Sequence, residues 1–451
     1  MPPEGSQDQA SRKALEYSEF YRGKMATVPK VPIRSLADFS IWYTPGVAAV
    51  SRAIERDADL SFEYTNRWNT IAVLTDGSRV LGLGNIGPEA SLPVMEGKAL
   101  IYKYLGGVDA IAVPVKVSSE EQFVNLAESL EPGLGGINLE DIASPRCFSI
   151  LDRLRGSMKI PVWHDDQQGT AGVILAALYN SLELTGRDIK NSKIVFFGSG
   201  AANIAAARLL IEAGASAGDM ILLDLKGTLH SEREDIDELF MTNRWKHDMA
   251  LKTNESKVQG SLKEALSGAD VLIAASTPGP NVIKREDISA MSPQAITFLL
   301  SNPVPEMWPE EAIKAGAAVV ATGRSDFPNQ VNNSVLFPSV FRGALDVRAK
   351  TISDTMVIAA ARELADFAKK KGLSRTNIIP NMLDWDVFPS VAAVIGEQAQ
   401  KEGLARKNLT RSELFEEARR IIERSRTLSS VLIEKGIIAP IPEGKLPRAG
   451  D

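Results

Sequence analysis

Short apolar runs ending in glycine or in an acid recur along this chain, with helix-length stretches between them. Over residues 39–186 the runs are TIAVLTD, RVLGLG, AIAVPV, GGINLED and IPVWHDD; over residues 187–325 they are KIVFFGSG, MILLDLKG, DVLIAAS, AITFLLSNP and AAVVATG. Strands separated by segments such as PVMEGKALIYKYLGG and EEQFVNLAESL cannot pair as hairpins. They read as βαβ units, which make parallel sheets covered by helices. The expected fold class is therefore α/β. Residues 1–38 read as an arm, 39–186 as one α/β domain, 187–325 as a second, and 326–451 as a mostly helical segment packing back on the N-terminal half. In such sheets ligands bind beyond the carboxyl ends of the strands, where the polar residues of these runs fall.

Composition narrows the partners. The 451 residues carry 51 Lys and Arg against 57 Asp and Glu, a net charge of −6, with no basic run. Nucleic acid and anionic membrane are thereby disfavoured. The N-terminus lacks the apolar core of a signal peptide, and no apolar run approaches a bilayer span. With Cys147 alone, no internal disulfide and no cysteine-rich zinc site can form. A cytoplasmic protein is the expectation.

The second domain opens with strand, glycine turn and helix in KIVFFGSGAANIAAARLLIEAGA. Gly198, Gly200 and Asn203 take the three positions of G-x-G-x-x-G, the Rossmann dinucleotide fingerprint, in a doubly wound sheet. The first glycine permits the tight turn, and the second admits a pyrophosphate to the helix N-terminus. Asn203 departs from the small residue usual at the third position. Asp224 ends the next strand at the expected distance and suits a ribose 2′-hydroxyl, which favours NAD; Lys226 can instead meet the 2′-phosphate of NADP. An ordinary strand, turn and helix with a strand-end acid is the plainer alternative.

Two acidic pairs end strands of the first domain: Glu140 and Asp141, then Asp165 and Asp166. Neighbouring side chains on an extended chain point to opposite faces, so one of each pair can aim into a site. Oxygen ligands of this type suit Mg²⁺ or Mn²⁺. Read singly, each pair is equally a cap or a loop end. His164, His230 and His247 have no ligand spacing and read as structural or exposed. Lys98 on an apolar helix would ordinarily snorkel to solvent, and Tyr43 before a Pro-Gly turn would ordinarily pack. Together these features indicate an NAD-linked, divalent-metal enzyme.

The segments YTPGV, TDGSRVLGLGNIGPEASLPVMEGK, INLEDI, HDDQQGTA, GSGAAN, LSNPVPE and PNQVNNSVLFPSVFRGAL resemble the malic enzymes, in particular the shorter microbial form without an appended acyltransferase-like domain. The resemblance runs from Trp42 to Asp346 and more weakly beyond. It implies that residues 39–186 hold substrate and metal. Lys98 matches the general base, Tyr43 the general acid, Asp165 a carboxylate supporting the base, and Glu140, Asp141 and Asp166 the metal ligands. Arg79 corresponds to a substrate-carboxylate arginine in part of the family, and Asn302 and Asn333 to amides that contact substrate or nicotinamide. Ser199, Gly200, Ala201 and Ala202 correspond to the pyrophosphate turn and Asp224 to the ribose contact; Ser276, ending DVLIAAS, joins Gly198, Asn203 and Lys226 among the expected cofactor residues. Asn85, in GLGNIG, departs from the aspartate more often expected there.

The implied reaction is oxidative decarboxylation of malate to pyruvate with NAD or NADP and Mg²⁺ or Mn²⁺. Lys98 would take the C2 hydroxyl proton, its pKa lowered from about 10.4 by the ion and by desolvation. Tyr43 would return a proton to C3. Alternatives are a malolactic-type lyase that retains NAD, and a nucleotide-binding sensor without turnover. The family is usually dimeric or larger, so a homo-oligomer is expected.

Overall fold

The computed structural model describes residues 6–442; residues 1–5 of the arm and 443–451 of the C-terminal segment lie outside the described residues. Strands β1 (Thr70–Thr75), β2 (Asp109–Pro114), β3 (Gly136–Leu139) and β4 (Val162–His164) form a parallel four-stranded sheet in the order β2-β1-β3-β4. All six residues of β1 are buried, which is why it is an unbroken apolar run rather than an alternating one. Strands β5 (Ile194–Phe197), β6 (Met220–Asp224), β7 (Gly227–Thr228), β8 (Val271–Ala274), β9 (Ala295–Leu299) and β10 (Ala317–Thr322) form a second sheet in the order β10-β9-β8-β5-β6-β7. It is parallel except for β7, a two-residue antiparallel edge. The order reverses between β5 and β8, which opens a crevice at their carboxyl ends.

One apolar run is not a strand. RVLGLG forms a loop with a single bridge between Val80 and Gly84, and its Leu81 and Leu83 are 61% and 70% exposed. Gly84 and Leu81 take positive φ, which no strand accommodates. The backbone here serves other contacts: Arg79 N–H donates to the Asp141 carbonyl at 2.9 Å.

The helix Gly87–Gly106 packs on β1 and β2 and is itself covered by C-terminal helices. Ser425 and Arg426, on the helix Arg411–Glu434, donate to the carbonyls of Lys103 and Tyr104. A Cβ at Gly106 would lie 2.7 Å from the Pro338 carbonyl, so the helix Phe337–Asp346 approaches at backbone distance. The helix Thr170–Thr185, ended by Gly186 at φ 68, is buried on most of its surface and packs against the helices Ala201–Glu212 and Asp354–Lys370. No described helix is long and apolar enough to cross a membrane.

Candidate active site

Register places the acids. Leu139 on β3 pairs with Leu74 on β1 and with His164 on β4, so the residues after them emerge side by side at one sheet edge. Those residues are Glu140 and Asp141, and Asp165 and Asp166. Neither pair is divided as it would be on an extended chain, because the backbone bends at both and all four acids turn toward one site. Asp141 takes φ 54, and the stretch Asp165–Gly169 is a π-helical turn, a form that concentrates at functional sites. A Cβ at Gly169 would fall 2.0 Å from Asp165 Oδ1; glycine lets this carboxylate lie against the turn.

Lys98 reaches this edge from the helix Gly87–Gly106. Its side chain is only 10% exposed, and Nζ lies 2.5 Å from Asp165 Oδ2, 2.9 Å from Glu140 Oε1 and 4.3 Å from the centre of the Phe337 ring. It does not snorkel. Glu140, Asp141 and Asp166 each offer an oxygen within 4.8 Å of the others, and Asp166 Oδ2 accepts from the Asp141 N–H at 2.9 Å. Burial and mutual repulsion push Asp141 up to about 7, and burial likewise raises Glu140, Asp165 and Asp166. Asp141 Oδ2 is buried and has no hydrogen-bond partner among the described residues. Clustered carboxylates with an orphaned oxygen fit a hard divalent cation, which would hold all three ionised. Burial favours neutral Lys98, but Asp165, Glu140 and Asp166 outweigh it and raise its pKa. The expected lowering therefore requires the cation to withdraw that carboxylate charge.

Asn333 lies beside the π-helical turn: its Cβ is 3.3 Å from where a Cβ at Gly169 would lie. Arg79 is exposed on the loop whose backbone holds Asp141, and Asn85 is exposed at the end of that loop. Tyr43 is not brought in. It is 71% exposed, and no hydrogen bond among the described residues joins it to Lys98 or the acids. The helices around it, Leu36–Trp42 and Val47–Arg56, have no buried residue. His164 is buried, and burial lowers its pKa to about 3.

On the second sheet the turn after β5 is shaped by its two glycines. Gly198 has φ 99, and a Cβ there would be 2.5 Å from the Ala275 carbonyl, whereas nothing lies within 4 Å of one at Gly200. Ser199, Gly200, Ala201 and Ala202 form the turn and the start of the helix Ala201–Glu212. Asn203 is no loose substitute for a small residue: its Nδ2 donates to the Phe197 and Gly198 carbonyls at 3.0 and 2.9 Å and fastens the turn. Asp224 ends β6 as expected, yet both its oxygens are already engaged, by Arg233 at 3.0 Å and Lys246 at 3.1 Å. Lys226 pairs with Asp235 at 2.9 Å. Ser276 donates to the buried Glu306 at 3.0 Å through its N–H. Asn302 follows β9, its carbonyl 3.0 Å from where a Cβ at Gly82 would lie, so the RVLGLG loop meets the second sheet there.

Arg233, Lys246 and Glu306 were not anticipated from sequence. They stand far from the residues they hold, with no local spacing to mark them.

A family model described as the malic enzyme N-terminal domain matches residues 22–122, and one described as the malic enzyme NAD-binding domain matches residues 167–400. The chain is 43% identical over 409 residues to a bifunctional malic/malolactic enzyme of Bacillus subtilis, covering 91% of this chain and 98% of that one. It is 42% identical over 413 residues to an NADP-dependent malic enzyme of Rhizobium meliloti, covering 88% of this chain and 53% of the relative. A crystal structure of Entamoeba histolytica malic enzyme superposes with a TM-score of 0.92 at 43% identity, over 99% of this chain and 94% of that one. The chain belongs to the malic enzyme family.

Proposed function

We propose that this chain oxidises and decarboxylates (S)-malate to pyruvate and CO₂ with NAD or NADP, in the presence of Mg²⁺ or Mn²⁺. The observation that carries this reading is Lys98, held at 2.5 and 2.9 Å by Asp165 and Glu140 beside a cluster of carboxylates suited to a divalent ion. Lys98 accepts the proton of the C2 hydroxyl, and Asp165 steadies the ammonium that results. Arg79 meets a substrate carboxylate, and Asn302 and Asn333 contact substrate or nicotinamide. When bound, the dinucleotide would supply a hydride acceptor and the ion a Lewis acid.

Glu140, Asp141 and Asp166 would hold the ion, and the Gly198–Asn203 turn the pyrophosphate. Because Arg233 and Lys246 offset the charge of Asp224, repulsion of a 2′-phosphate is weakened there. The pairing therefore supports NAD or NADP as the cofactor, and parallel assays with each decide between them.

Tyr43 is proposed to deliver the proton to C3. Its exposure, and the exposed apolar side chains of Leu36, Phe39, Ile41 and Trp42 near it in sequence, support a homo-oligomer in which this segment is covered. If two copies share a site, mixing Tyr43→Phe with Lys98→Ala restores part of the activity that each lacks.

The lyase reading remains in view for one reason, the bifunctional name of the Bacillus subtilis relative. Reduced nicotinamide, pyruvate and lactate measured together with L-malate and Mn²⁺ separate the two. Equal reduced nicotinamide and pyruvate without lactate is expected. Lactate without net reduction would transfer the site to the lyase, and neither product would remove the malate assignment.

A further inference from the structure

The proposed reaction, on which this inference rests, needs Glu140 and Asp165 to face inward in set orientations. A carboxylate turns freely about its terminal torsion, which is broad and roughly two-fold. Something must hold the oxygens.

Each carboxylate has a buried donor behind it. Asn138 and Glu140 lie two residues apart at the end of β3, and therefore on one face of the chain. Asn138, fully buried, donates its Nδ2 to Glu140 Oε2 at 2.8 Å, while Oε1 is the oxygen 2.9 Å from Lys98. The amide itself is oriented. Tyr102 Oη donates to Asn138 Oδ1 at 2.8 Å, which turns the NH₂ group toward the glutamate. Tyr102 stands one turn after Lys98 on the same helix, also fully buried. Its ring packs 4.6 Å from that of Phe337, the ring over which Lys98 Nζ rests. On the other side, the indole N–H of Trp163 donates to Asp165 Oδ1 at 3.1 Å and leaves Oδ2 for Lys98.

We propose that Tyr102, Asn138 and Trp163 are positioning residues: the Tyr102–Asn138 relay orients Glu140 for the divalent ion, and Trp163 orients Asp165 for Lys98. The two arms act on different partners, so their effects separate. Partners that orient metal-binding groups typically contribute tenfold to a hundredfold in affinity or activity. A merely structural role would lower metal binding, dinucleotide binding and turnover together.

The test is a titration of Mn²⁺ into the full-length chain, followed by electron paramagnetic resonance, for the parent, Asn138→Leu, Tyr102→Phe and Trp163→Phe. The Kd for NADH (or NADPH, whichever the parent binds more tightly) and kcat are measured alongside. Asn138→Leu is expected to weaken Mn²⁺ binding about tenfold or more with the dinucleotide Kd within about twofold, and Tyr102→Phe to weaken Mn²⁺ binding less. Trp163→Phe should keep the Mn²⁺ affinity and lower kcat about tenfold. Parent-like Mn²⁺ affinity in Asn138→Leu, or equal loss of metal and dinucleotide binding in both arms, overturns the proposal. Should Asn138→Leu not fold, Tyr102→Phe decides, since it deletes one oxygen: unchanged Mn²⁺ affinity overturns the relay. A parent that binds no Mn²⁺ overturns the metal reading and this proposal with it; a parent that binds while Asn138→Leu is unaltered overturns the positioning alone.

Discussion

The two sheet edges that form the candidate site treat charge in opposite ways. Beyond β3 and β4, acids crowd together around Lys98, burial raises their pKa values, and Asp141 Oδ2 has no hydrogen-bond partner among the described residues. Beyond β5 and β6, Asp224 is fully paired with Arg233 and Lys246, and the glycine turn is fastened by Asn203. One edge is electrostatically incomplete and calls for a cation; the other is complete and offers shape, backbone N–H groups and open space over Gly200. Substitutions should therefore separate chemistry and metal binding from dinucleotide binding.

The largest effect belongs to Lys98. Lys98→Ala is expected to lower kcat on the order of 10³-fold or more while Mn²⁺ still binds, as checked by steady-state rates beside a Mn²⁺ titration. Turnover near the parent's would remove Lys98 from the proton transfer. Next comes the ion. At a hundredfold excess over Kd, Mn²⁺ should stabilise the fold by about 2.7 kcal/mol, read as a rise in melting temperature. The rise should vanish in Asp141→Ala and survive in Asp224→Ala; the reverse pattern would exchange the characters of the two edges.

The glycine turn gives a smaller effect. Gly198→Ala meets both the positive φ and the Ala275 carbonyl, and should cost about 1–3 kcal/mol of stability together with dinucleotide binding. Gly200→Ala has open space around it, so chemical denaturation should show stability near the parent's while fluorescence titration shows weaker binding of the dinucleotide. Equal destabilisation by both would mean that the turn is a structural feature alone. Smallest of all, Lys257→Ala, which breaks an exposed ion pair with Glu232, should leave the melting temperature and the binding of both ligands near the parent's.

Much of this arrangement was legible in the sequence because it is local. Strand runs ending in acids, the glycine turn at Gly198 and Gly200, and the cap at Gly186 follow from periodicity and backbone sterics within a few residues. RVLGLG misled because its apolar spacing resembles a strand, while its glycines and the pull of Asp141 make it a loop. What holds the acids was less legible. Lys98 meets Asp165 across 67 residues, and Tyr102 meets Asn138 across 36, so only the fold joins them. The partners of Asp224 were missed for the same reason. Tyr43 marks a different boundary: the fold leaves it exposed, and no periodicity within the chain brings it to the acids.

The measurement that tests the account most directly is anomalous diffraction from crystals of this protein grown with Mn²⁺ and malate. A single strong peak per chain is expected among the carboxylates of Glu140, Asp141 and Asp166, with Lys98 Nζ against the substrate C2 hydroxyl. A fully occupied ion elsewhere, with these carboxylates still closed on Lys98, would contradict it.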